Sequence, residues 1–99
     1  MVLQVYEDEF GKISSLYDSS NVLASKYDPE SKKLVIIFHN GNQYLYENVT
    51  KMTFNHFQNA KSQGKEIHGI IKKHHTTKLG TIDPTNIRED ILNLKKEQK

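Results

Sequence analysis

The stretch HGIIKKHH holds His68, His74 and His75 within eight residues. Imidazoles at such density can bind a metal ion or gain positive charge just below neutral pH. The metal reading fails on spacing. Adjacent His74 and His75 cannot easily share one ion from a regular element, and no acidic ligand follows at a usable distance. Neither a metal nor a cofactor is expected. A gain of charge would instead strengthen anion binding, since Lys65, Lys72, Lys73 and Lys78 lie in the same stretch. Phosphates would then be engaged mainly by lysine as a point charge, giving affinity with little base specificity. The expected nucleic-acid-binding set is Lys65, His68, Lys72, Lys73, His74 and Lys78.

Other chemistry is poorly supplied. Asp18, Ser19 and Ser20 are neighbours, but no nucleophile elbow surrounds them. Neither FGKIS nor SQGKE completes a phosphate loop, because the first glycine of that motif is missing upstream. Glu7, Asp8 and Glu9 read as a solvated loop rather than a paired acid and base. No enzyme is expected. Tyr17 and Phe10 could stack on bases, although core or edge packing is the expectation for both. The sequon at Asn48 to Thr50 reads as a strand end running into a helix.

The elements that position these groups must fit in 99 residues, enough for one domain with a modest core. The charge is segregated along the chain. Residues 1–30 carry two lysines against six acids, whereas residues 31–82 carry eight lysines against two glutamates, a net +6. An acidic start beside a basic middle suggests one positive face. Cysteine is absent, so disulfides and thiolate metal sites are excluded. No apolar run approaches a membrane span and no signal peptide is evident, so no membrane partner and a cytoplasmic location are expected. Thirteen lysines to one arginine, with frequent Asn and Ile, hint at a low-GC bacterium or a phage.

Residues 1–18 alternate weakly around Gly11 and suit a hairpin or a strand leading into a loop, an N-terminal extension to the domain. Val22 to Tyr27 is a short strand, DPES a turn, and KLVIIFH a β-branched strand. Asn40-Gly41 then turns the chain into QYLYENV. Thr50 caps a helix reaching Ser62, with Met52, Phe54, Phe57 and Ala60 at helical spacing and Gly64 as its stop. Residues 64–79 are open between helix and strand, Gly69 weakening the helix. Residues 80–99 read as a linker and a C-terminal helix, capped at Asp83-Pro84 with Ile87, Ile91 and Leu94 as its apolar stripe. The fold class is α+β: a small antiparallel β-meander packed against one or two helices, plus that terminal helix.

Two loops compete at Asn40-Gly41. A two-residue loop sets Ile37 opposite Tyr44 and Val35 opposite Tyr46. A three-residue loop, with Gly41 in a left-handed bulge position, sets Ile36 opposite Tyr44 and Leu34 opposite Tyr46. A one-residue slip moves both rings to the other face. Periodicity cannot choose, because both faces of the strand pair are apolar.

The motifs SSNV (Ser19 to Val22), YDP (Tyr27 to Pro29), LVIIF (Leu34 to Phe38), GNQYLY with Tyr44 and Tyr46, and SQGKEIHGIIK (Ser62 to Lys72) occur in order. From Ser19 to Lys72 the chain resembles the KTSC domain, a short module at the C-terminus of some lysyl-tRNA synthetases and a stand-alone bacterial or phage protein; residues 19–79 are taken as that domain. In that family the positions matching Val35 and Ile37 are often polar. The resemblance therefore implies the three-residue loop, with Tyr27, Leu34, Ile36, Phe38, Tyr44, Tyr46, Phe54 and Phe57 as core and the tyrosine hydroxyls at its rim. Two positions depart from the pattern: Glu66 stands where the family usually carries an aromatic, and His68 where it often carries Asn.

An outer face of Val35, Ile37 and Leu45 would need a cover. Ile87, Ile91 and Leu94 are expected to pack there, in the same chain or in a homodimer partner. The association with a tRNA synthetase and the basic middle imply an accessory module that binds RNA or another nucleic acid. The alternatives are a protein-interaction module, such as a phage factor binding a host protein through the outer face or terminal helix, and capture of a small phosphorylated nucleotide at the sheet rim.

Overall fold

The computed structural model describes residues 1–87, 89 and 91, except for the side chains of residues 71–73. The β-branched run enters strand β4 (Lys33–Phe38), and Asn40-Gly41 returns it as β5 (Asn42–Tyr46). Gly41 has φ of 91°, open to glycine and strained for other residues. Its N–H donates to the Phe38 carbonyl at 2.9 Å, while the Asn40 side chain accepts from Asn42 N–H at 3.0 Å. The three-residue loop is the one formed, since Leu34 pairs with Tyr46, Val35 with Leu45, and Ile36 with Tyr44.

Strands β1 (Val2–Glu7), β2 (Ile13–Tyr17) and β3 (Val22–Asp28) precede this pair, and β6 (Thr76–Thr81) follows two helices to join β5. The described strands make one six-stranded antiparallel sheet in sequential order. Residues 1–18 form the hairpin, and its two strands extend this sheet. Their turn is built by Asp8, whose carboxylate accepts from Phe10 N–H at 2.8 Å and Lys12 N–H at 2.9 Å. Phe10, expected to pack, is 73% exposed at that tip, whereas Tyr17 is buried.

Helix α1 (Lys51–Asn59) starts at Thr50, whose hydroxyl accepts from Thr53 N–H at 3.2 Å. It ends before the expected Ser62. Buried Gln63 reaches back, its amide donating to the carbonyls of Phe57, Gln58 and Ala60, so the orphan carbonyls of the last turn are satisfied by a side chain instead of by a glycine cap. Ser62 then caps α2 (Gln63–Lys73), and Gly64 lies in its first turn. Residues 64–79 resolve into that helix followed by β6. Gly69 is exposed, and a Cβ added there would meet open space. Met52 is a second correction: at 75% exposure it faces away from the stripe that buries Phe54 and Phe57.

Both helices cover one face of the sheet. Ile13, Tyr17, Val22, Tyr27, Leu34, Ile36 and Tyr46 meet Phe54, Phe57, Ile67 and Ile70 there, with Phe38 and Tyr44 at the margin. Tyr27 stacks on Phe54 with centroids 4.4 Å apart and planes 8° from parallel. Such a pair adds roughly 0.5–1.5 kcal/mol beyond its buried area. On the other face, Ile91 covers Leu16, Leu23, Ala24 and Ile37, with Val35, Ile82 and Ile87 beside them. The cover therefore comes from the same chain, after a 3-10 turn (Pro84–Asn86) whose cap is Asp83. Leu45, nearer the β5–β6 edge, is half-buried outside that cluster, and Leu94 lies outside the described residues.

Candidate nucleic-acid interface

Because β4 and β5 pair through Ile36 and Tyr44, Phe38 and Tyr44 emerge together on the helix side, near the loop and beyond the end of the packed core. Their rings meet edge to face at 5.7 Å and 87°. With Asn40, Asn42, Tyr46 and Thr76 they line a cavity of about 410 Å³. Tyr46 is otherwise buried; among the described residues its hydroxyl has no hydrogen-bond partner, which leaves it available to a ligand in the cavity. Burial first, and the adjacent Tyr44 second, push its pKa up to about 12. It stays a protonated donor at neutral pH.

Phe38 and Asn40 also line a second cavity of about 400 Å³, with Ser20, Asn21, His39, Gly64, Ile67 and His68. The two cavities lie on either side of that wall, one toward β5 and one toward α2, and together they are taken as the candidate groove. His39 is held within it by Nε2, which donates to the Ser19 carbonyl at 2.7 Å. The groove thus offers aromatic faces, side-chain amides from Asn21, Asn40 and Asn42, a phenol and an imidazole. These are the groups that stack on a planar base and hydrogen-bond its edges.

The expected basic set is divided by the fold. His68 lies in the groove wall, and Lys78 is exposed on β6 opposite Tyr44, on the same side of the sheet. Lys65 faces elsewhere, lining a cavity between the helices with Lys61 and His56. His74 is also separated: its Nδ1 donates to the Glu47 carbonyl at 3.0 Å, and its ring borders the interhelical side with His56 and Glu66. Residues 68 and 74 are six apart, so one helical face cannot present both. Lys72 and Lys73 fall in the last turn of α2, and their side chains lie outside the described residues. Among the described residues, no cluster of three or more His, Asp or Glu could hold a metal ion. No described helix is long and apolar enough to cross a membrane.

Sequence reasoning missed Asn21, Asn40, Asn42, His39 and Thr76. Asn40 reads as a turn residue, and nothing in linear spacing joins Asn21 and Thr76 to it. Only the adjacent pairing of β3 with β4 and of β5 with β6 brings them to one groove.

Comparison with known proteins places these elements in context. A family model, the KTSC domain, matches residues 18–75. A protein of Tsukamurella paurometabola is 36% identical over 55 residues, spanning 56% of this chain and 82% of its own. The crystal structure of a KTSC domain protein from Yersinia pestis superposes with a TM-score of 0.63 at 32% identity, covering 68% of this chain and 96% of that one.

Proposed function

The chain belongs to the KTSC domain family, and from that footing we propose that it is a non-enzymatic module binding single-stranded RNA in the groove between β5 and α2. One observation carries the reading: Phe38 and Tyr44 stand at the mouth of a groove that also presents three asparagine amides, with His68 in its wall and Lys78 beside it. A base would stack on the rings, the amides would meet its edge, and the cations would attract the flanking phosphates. The net +6 of residues 31–82 supplies the longer-range attraction.

The test is fluorescence anisotropy of a labelled single-stranded RNA, a tRNA and a duplex DNA at several salt concentrations. Single-strand binding should weaken with salt at a log–log slope near −0.7 per phosphate contact. Tyr44→Ala should weaken it roughly 5- to 150-fold, matching about 1–3 kcal/mol per stacked base. Lys78→Ala should lower the salt slope. Absence of binding at low salt, or equal binding by Tyr44→Ala, would overturn the reading, and a rise in Tm with a mononucleotide alone would reassign the groove to a small phosphorylated ligand.

A further inference from the structure

Among the described residues, strand β1 is an edge of the sheet. Asp8 N–H donates to the Lys12 carbonyl at 2.9 Å, which sets the phase of the β1–β2 ladder. Alternation along an antiparallel pair then makes Tyr6–Ser14 and Gln4–Leu16 the hydrogen-bonded pairs. Val5, opposite Ser15 between them, directs its own N–H and C=O off the sheet.

Of the six exposed large hydrophobic side chains among the described residues, Met1, Leu3, Val5 and Phe10 lie on or beside β1. Open edges are usually guarded by lysine, proline or irregularity. The opposite edge, β6, has such guards: Lys78 at its middle, Leu79 bulged out of register with β5, and Gly80 at φ of 116°. Residues 2–6 of β1 hold neither charge nor proline, and the bulge at Leu3 leaves residues 4–7 in regular register.

We propose that β1 pairs antiparallel with β1 of a second copy about a two-fold axis at Val5, joining two sheets into one. Val5 exchanges two hydrogen bonds with its counterpart. Gln4 then lies opposite the partner's Tyr6 on the face away from the helices, where amide and phenol can bond. The two Glu7 residues are held about 14 Å apart, beyond strong repulsion. The same stretch serves both subunits, so the assembly closes as a dimer. Pairing of β1 with β6 of another copy would instead be head to tail and open-ended, against the lysine and bulge of that edge.

Sedimentation equilibrium of the full chain, from low micromolar to submillimolar concentration, tests this. A monomer–dimer equilibrium is expected. Val5→Pro removes only the outward N–H and leaves the ladder to β2, so it should be monomeric with the parent's circular dichroism. Val5→Lys guards against misfolding of the proline variant and should also be monomeric. A monomeric parent throughout, or a dimer that survives both Val5 substitutions, would overturn the proposal.

Discussion

Ile36 sits directly across from Tyr44, and this pairing sends Tyr44, Tyr46 and Phe38 to the helix side together. It is held by Gly41, whose carbonyl also accepts from Ile82 N–H at 2.9 Å. A Cβ at position 41 would collide with the Ile82 carbonyl oxygen, and φ of 91° is strained for alanine. Gly41→Ala should cost at least about 2 kcal/mol. A thermal melt should show a Tm lowered by roughly 8 °C or more. An unchanged Tm would mean that the loop closes differently.

Gln63 is fully buried between the helices, and its amide serves three carbonyls of the α1 terminus. Gln63→Ala should destabilise the domain by about 2–3 kcal/mol in urea unfolding, because the carbonyls lose their donor in a dry site.

Stability should fall between pH 10 and 12. Burial raises the pKa of Tyr17 and of Tyr46 to about 12 from 10.0, and that of Tyr27 moves the same way. A phenol with a raised folded-state pKa holds its proton more tightly when folded. Its contribution is fully present below the unfolded value and is lost as pH rises through the folded one. Tyr17 accounts for roughly 2 kcal/mol across that window, and Tyr46, whose hydroxyl is better screened by solvent at the cavity, for less. Urea unfolding at a series of alkaline pH values measures the slope, and Tyr46→Phe should flatten it.

Ile91 is 1% exposed and packs on Leu16, Leu23, Ala24 and Ile37. Ile91→Ala should cost about 2–4 kcal/mol, by lost burial and the cavity left behind. Differential scanning calorimetry would show it as a lower Tm, and no change would mean that Ile91 does not cover the outer face in solution.

The sequence by itself determined the β-branched strand, the turn after it, the Thr50 cap and the burial of Phe54 and Phe57, because each rests on residues within a turn or two of one another. The resemblance to a family chose between two loop registers that periodicity left equal, since Leu34, Ile36 and Phe38 are as apolar as Val35 and Ile37. What lay beyond reach was non-local. The hairpin of residues 1–18 was legible, but its joining to β3 depends on an edge distant from its own turn, and the end of α1 depends on Gln63 folding back from the next helix. The groove needs β3, β4, β5, β6 and α2 side by side before Asn21, Phe38, Asn42, Tyr44 and Thr76 become neighbours. A cluster of basic residues close in sequence was divided for the same reason: a helix turns its side chains through 100° per residue, so tertiary packing decides which of them face one ligand.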